Sequence, residues 1–212
     1  PHPYNYSFGD DDAEIVKNNL TYLEEVIQYE GPDNIAAMFI ETVTGTNGIL
    51  PPPKGYLQGL RSLLDKYGIL LVCDEVMAGW GRTGKLFAFE HGDIVPDIVC
   101  MAKGLTSSYV PLGAVAMRDE IAKHFDENVF WGGLTYNAHA FACSVALATI
   151  NVLIDEGMVE NAARLGPVMR DHMQRLKDTH PSVKTFRNIG LFGMVDLQQD
   201  ESGTPMAPYN GT

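Results

Sequence analysis

The feature that most constrains this chain is a pair of uninterrupted apolar runs, each ending in an ionisable residue. Gly68-Ile-Leu-Leu-Val-Cys73 stops at Asp74-Glu75, and Asp97-Ile-Val-Cys-Met-Ala102 stops at Lys103-Gly104. Runs of strand length with no polar alternation read as strands buried on both faces, the pattern of a parallel sheet covered by helices. In such sheets ligands sit outside the carboxyl ends of the strands. An acid and an amine delivered to neighbouring strand ends therefore mark a candidate site.

The flanking pattern supports an α/β architecture. Val16, Leu20, Leu23 and Ile27 form one helical face over residues 12–29, with Asp10, Asp11 and Asp12 at its positive end and Gly31-Pro32 as its stop. Ile35-Ala-Ala-Met-Phe-Ile40 is a third continuous run, closed by Glu41; Tyr56, Leu60, Leu63 and Tyr67 make a second helical stripe, ended by Gly68. Gly113–Met117 reads as a further short strand. Residues 137–154 are apolar nearly all round, which predicts a buried helix. Met158, Ala162, Leu165, Met169, Met173 and Leu176 form a long stripe that Gly166-Pro167 should kink or interrupt, and Gly190–Leu197 reads as a strand.

The break around Gly157 divides the chain into residues 1–155, a large domain without its N-terminal part, and residues 156–212, the start of a smaller, truncated domain. The aromatic lead-in Pro3–Phe8 opens with Pro1 in place of Met, and Pro208–Thr212 reads as a loop cut short. A fragment of a longer protein is the expectation.

Composition excludes some functions. A formal net charge of −12 argues against a nucleic-acid surface, which needs clustered Lys and Arg. Cys73, Cys100 and Cys143 all lie in apolar patterns, which reads as reduced thiols in a reducing compartment, the cytoplasm. The six histidines show no ligand spacing, so no metal site is expected. No apolar run reaches the length needed to cross a bilayer.

Gly79-x-Gly81-x-x-Gly84 matches a dinucleotide-binding pattern literally. Its mechanism, however, needs the glycines directly between a strand and a helix, so that pyrophosphate meets the helix N-terminus. Here the first glycine comes six residues after the apolar run, and the following segment is too short for the helix. A glycine-rich loop beside the site is the better account.

Lys103 offers two readings. Burial would lower its pKa and leave a neutral amine as nucleophile or base; alternatively the side chain reaches past the strand end to solvent or to an acid. Asp74 taken alone would cap a helix or bind a loop, and Glu75 would bond to backbone. Taken together, Asp74 and Lys103 suit a cofactor with a basic ring nitrogen and an aldehyde, which describes pyridoxal phosphate.

Five stretches carry a family resemblance: Glu41-Thr-Val-Thr-Gly-Thr-Asn-Gly48, Asp74-Glu-Val-Met-Ala-Gly-Trp-Gly-Arg-Thr-Gly84, Pro96-Asp-Ile-Val-Cys-Met-Ala-Lys-Gly-Leu105, Pro111-Leu-Gly-Ala-Val115 and Gly132-Gly-Leu-Thr-Tyr-Asn-Ala-His139. In order and separation they resemble the class III pyridoxal-phosphate aminotransferases over nearly the whole chain. The resemblance implies the type I fold of pyridoxal-phosphate transferases, a mostly parallel large-domain sheet plus the start of the small C-terminal domain. It implies Lys103 as the amine that condenses with the cofactor aldehyde and later moves the proton. Asp74 would bind the pyridine nitrogen, and Val76 would pack on the ring. Thr135 would reach the cofactor phosphate of a partner subunit in a homodimer, and Glu41 would face the substrate, able to pair with a substrate-recognising arginine.

Three residues depart from the family pattern. Thr42 stands where proline is usual, Met77 where many members have glutamine, and Leu134 where an aromatic is common. Met77 together with Leu105–Leu112 resembles the branch that moves an amino group from ω-amino acids or amines to pyruvate. An aminomutase, decarboxylase or racemase would keep Lys103 and Asp74, and a non-catalytic module of the same fold would not need them. The sequence shows no Ser/Gly phosphate cup, no aromatic for the second ring face and no C-terminal arginine for a carboxylate. The chain alone is therefore expected to be an incomplete catalyst.

Overall fold

The computed structural model describes residues 8–207; most of the aromatic lead-in and the loop from Pro208 lie outside the described residues. The elements run α1 (Asp12–Glu30), β1 (Ala37–Glu41), α2 (Tyr56–Tyr67), β2 (Leu70–Asp74), β3 (Ile98–Met101), β4 (Ala114–Met117), α3 (Asp119–Ala122), α4 (His124–Glu127), α5 (Ala140–Asp155), α6 (Met158–Thr179), β5 (Val183–Ile189) and β6 (Phe192–Leu197). A four-stranded sheet has the order β1-β2-β3-β4. β1, β2 and β3 pair in parallel, and β4 closes the edge antiparallel to β3. The sheet is thus mixed α/β and mostly parallel, as the continuous runs predict.

The helices form where the stripes predict. Asp11 caps α1 by accepting from Glu14 N at 2.9 Å, which satisfies one of the free amides of the first turn. In α2 the fully covered line is Leu57, Leu60, Leu63 and Leu64, with Tyr56 and Tyr67 at its margins. These leucines join Ile27, Leu71 and Cys73 in one cluster under one face of the sheet. At the amino end of β3, Asp97 fastens this face. It accepts from Arg61 Nη1 at 2.6 Å and Leu71 N at 2.7 Å.

Three expectations need correction. The second face of the sheet is covered only in part among the described residues: Val72 is buried, but Phe39 beside it is 71% and Val115, on the same face, 60% exposed. The helix expected to be buried, α5, is mostly open, with Phe141, Leu147 and Ile154 exposed and Ala142, Ala146 and Leu153 covered. Its apolar composition calls for cover on several sides, and the described residues supply it on one, where α6 packs. Cys143 on α5 is accordingly exposed, although all three cysteines are free thiols. Finally, of the kink or interruption expected at Gly166-Pro167, the interruption does not occur: α6 continues to Thr179. The backbone hydrogen bond a proline forfeits is offset by close packing. A Cβ on Gly166 would come 3.0 Å from Gly190 Cα, and Asn188 Nδ2 donates to Gly166 O at 3.0 Å.

β5 and β6 form a separate two-stranded hairpin packed on α6. β6 matches the expected strand; β5 was not foreseen. Among the described residues no single helix is long and apolar enough to cross a membrane. The pair α5–α6 reaches that composition only when joined, and it bends by 60° at the break.

Candidate active site

The carboxyl edge of the three parallel strands gathers the acids and the amine. Glu41 at the end of β1 is in register with Asp74 at the end of β2, and Asp74 with Cys100 in β3. Residues in one row point to one face. That face is the open one, the face of Phe39. Asp74 is half-buried, and its Oδ1 accepts from Val76 N at 2.9 Å, an Asx-type turn that swings the chain out of the strand. Its second oxygen has no partner among the described residues. Burial, and after it the nearby charge of Asp74, pushes the Cys100 thiol up, which keeps it protonated beside the acid. Glu41 is exposed, and its Oε2 accepts from Gly45 N at 2.8 Å.

Lys103 follows two residues after β3, with φ 44°, and opens a short 3-10 turn through Leu105. A side-chain-bearing residue in the left-handed region is uncommon and is held there by its surroundings. Leu105 N donates to Ala102 O and Thr106 N to Lys103 O, while Thr106 Oγ1 donates to Val110 O at 2.6 Å. Gly104 lies directly against Trp80: a Cβ on it would sit 2.8 Å from Trp80 Cβ. Of the two readings for Lys103, the structure favours solvent. The residue is exposed and makes no side-chain hydrogen bond or ion pair among the described residues. The desolvated amine is not found, because the cover over this side of β3 does not extend to the Lys103 side chain among the described residues.

Glu75, next to Asp74, turns the other way and is fully buried. It accepts from Thr42 Oγ1 at 2.7 Å and from the amides of Ala88 and Phe89 at 2.9 Å each. Burial pushes its carboxyl above the ordinary range, with Thr42 and the two amides pulling it down. Glu75 thereby ties the end of β1 to the loop after the glycine pattern, the backbone role expected of it. Thr42, which stands where proline is the usual residue, is the donor in this tie.

The glycine pattern is not a cradle. No helix follows Gly84; the chain runs through turns to a 3-10 segment, Ala88–Gly92. The glycines permit close packing on α6 and the hairpin instead. A Cβ on Gly84 would come 2.9 Å from Ala163 Cα, and Leu191 N donates to Arg82 O at 3.1 Å. Trp80, at φ 60°, meets Phe87 edge-on at 5.2 Å. Its indole Nε1 is buried without a partner among the described residues and lies beside a cavity of about 880 Å³ that reaches Gly104, Tyr109, Phe141 and Met158. This residue went unnoticed in the sequence, although a tryptophan inside a glycine loop was a signal.

The structure thus places Glu41, Asp74, Val76 and Lys103 at one sheet edge. Thr135 stands on the exposed segment before α5, with no hydrogen bond to any of the four.

Comparison with known proteins bears on this edge. The model of the class III aminotransferase family matches residues 1–208. The chain is 38% identical over 197 residues to a diaminobutyrate–2-oxoglutarate transaminase of Halomonas elongata, covering 91% of this chain and 42% of the relative. A solved taurine:2-oxoglutarate aminotransferase from Bifidobacterium kashiwanohense, in complex with PLP and glutamate, superimposes with a TM-score of 0.92 at 40% identity, covering 100% of this chain and 48% of that one. An (S)-enantioselective omega-transaminase from Thermomicrobium roseum gives 0.90 at 41% identity, over 98% and 47%. The chain therefore spans somewhat under half the length of these relatives.

Proposed function

The chain belongs to the class III aminotransferase family, and from that premise we propose that it carries the central part of a pyridoxal-phosphate-dependent aminotransferase. The reaction is transfer of an amino group from an ω-amino acid or amine to a keto acid such as pyruvate. The observation that carries this reading is the sheet edge, where Asp74 and Glu41 stand in register on one face and Lys103 stands unpaired at the next strand end.

The residues fit the group. An aldehyde needs an amine not already engaged, and Lys103 has no partner among the described residues. A basic ring nitrogen needs an anionic acceptor, and Asp74 keeps one oxygen unused after the turn to Val76. Pyridoxal phosphate, when bound, supplies an aldehyde that amines condense with and a ring that takes up negative charge. Asp74 holds a proton on the ring nitrogen, so that positive charge faces the charge that develops during proton removal. Lys103 Nζ takes the proton from the amine-bearing carbon and returns it. Val76, its amide already fixed by Asp74, packs against the ring. Glu41 retains one oxygen for a cationic partner on the substrate side. Thr135, on its exposed segment, reaches the cofactor phosphate of a second copy, which makes the site a property of a homodimer. Residues 1–155 form the cofactor-binding part and residues 156–212 the start of the second domain; the separate sheets on either side support that division.

The test is chemical. In the protein as its source makes it, borohydride treatment with pyridoxal phosphate should fix the label on Lys103, and an amino donor with pyruvate or 2-oxoglutarate should yield alanine or glutamate. An unlabelled Lys103 sinks the assignment, and label without amino transfer would favour a mutase, decarboxylase or racemase.

A further inference from the structure

The hairpin reaches back to the loop after β1, and one side chain makes the link. Arg187 on β5 donates from Nε to Gly48 O at 2.6 Å and to Ile49 O at 3.0 Å. Its terminal nitrogens donate to the two carboxylate oxygens of Asp196 on β6 at 2.7 and 3.3 Å. The guanidinium fork is used on both sides: a bidentate carboxylate aims it, and two consecutive carbonyls receive it.

The loop it holds is strained. Ile49 has φ 49°, a region that β-branched residues avoid, and Gly48 has φ 129°. A Cβ on Gly48 would come 2.8 Å from Arg187 Nη2, so the close approach of the guanidinium needs a glycine there. The same loop folds onto Glu41. Gly48 N and Ile49 N both donate to Gly45 O, and Gly45 N donates to Glu41 Oε2 at 2.8 Å. A continuous line of hydrogen bonds therefore runs from Asp196 through Arg187 and the Gly45–Ile49 turn to the Glu41 carboxylate.

We propose that Arg187 is a positioning residue, which sets the Glu41 carboxylate for substrate binding by latching the Gly45–Ile49 turn, with Asp196 aiming the latch. It couples the hairpin to the sheet edge and acts through the turn, since it does not bond Glu41 directly. The substrate half of this statement rests on the reading of Glu41 as a substrate-facing acid.

Two measurements on the protein as its source makes it test the proposal. The first is amide hydrogen exchange without cofactor or substrate. Arg187→Met should speed exchange at residues 45–50 by about tenfold or more while the α2 amides stay unchanged. Unchanged exchange in the loop overturns the latch. The second is steady-state kinetics with an ω-amino donor and pyruvate. KM for the donor should rise about tenfold with kcat within about twofold, the pattern of lost ground-state positioning. Arg187→Met added to Glu41→Gln should cost less than about twofold further, because the two act in one line. Additive losses, or full rescue by Arg187→Lys, which keeps the charge but not the fork, overturn it. Asp196→Asn leaves the arginine in place and should show the same pattern at lower amplitude, which decides the matter where the methionine variant fails to fold. If the unaltered protein transfers no amino group, the function reading fails while exchange still decides the latch.

Discussion

The two faces of the four-stranded sheet are made from similar residues and meet different fates. Toward α1 and α2, Leu60, Leu64, Leu71 and Cys73 have no exposure, and the strand end is fastened by Asp97. On the other face Phe39 and Val115 are open, α5 presents Phe141, Leu147 and Ile154 outward, and Glu41, Asp74 and Lys103 stand along the carboxyl edge. Apolar content states which surfaces require cover; it does not state what covers them. The face completed by local helices is a self-sufficient core, and the face along which Glu41, Asp74 and Lys103 stand is not completed by the described residues.

The sharpest way to break this comparison is to attack the closed face at its one buried ion pair. Asp97→Ala would leave Arg61, whose side chain is 13% exposed, with only the exposed Asp65 as an ion-pair partner among the described residues, and would leave the Leu71 amide without its acceptor. Removing one partner of a buried pair costs about 3–5 kcal/mol, to be read from urea unfolding. A loss below about 1 kcal/mol would mean that the closed face is not the stable half. The pH sign follows from the same contacts. Burial would raise the Asp97 carboxyl, but the Leu71 amide, then Arg61 and Arg118, outweigh it and hold the group below the ordinary range. Its contribution is therefore present above the ordinary aspartate pKa and is lost as pH falls through the depressed folded value. Asp97→Asn should remove that acid-side slope.

A second contrast sets two truncations to alanine against each other. Leu64→Ala opens a cavity in the closed core and should cost about 2–5 kcal/mol. Phe39→Ala removes a larger side chain from the open face and should stay within about 0.5 kcal/mol in this chain, as at other uncovered positions. A large loss at Phe39 would show that the second face is packed in solution.

Much of this was legible in the sequence, for a physical reason in each case. Continuous runs ending in Asp74 and Lys103 announced parallel strands, because a strand with apolar residues on both faces has no polar alternation whether or not both faces are covered in the described residues. The stripe of α2 and the cap of α1 are local signals read over a single turn. What was missed is non-local. The bond between Thr42 and Glu75 spans 33 positions, and that between Arg187 and Gly48 spans 139, distances at which no spacing rule operates. β5 escaped because Val183–Ile189 alternates only in part and its pairing is with β6. Pro167 misled because its local cost is fixed while the packing that offsets it, Gly166 on Gly190, belongs to the tertiary structure. The exposure of α5 and Lys103 was not legible because it is set by tertiary packing, which no local pattern reports.

The smallest effect is the most discriminating, because it runs opposite in sign to Asp97. Glu75 is fully buried and has no cation among its partners; its donors are a hydroxyl and two amides. Burial therefore dominates and raises its carboxyl, so the folded chain prefers the neutral acid. The contribution of that preference is fully present below the ordinary glutamate range and is lost as pH rises through the raised folded value. Glu75→Gln is neutral at every pH but turns an amide group toward one of the three donors, leaving a buried N–H or O–H unmet at about 1–3 kcal/mol. The deficit of the glutamine variant should thus be largest in acid and narrow as pH rises through the raised folded value, where the wild type carries the cost of a buried charge. A deficit that widens as pH rises would show Glu75 stabilised as an anion. The tie between β1 and the glycine loop would then resemble the Asp97 clasp, and the division between a closed, charge-paired face and an open one would lose its electrostatic half.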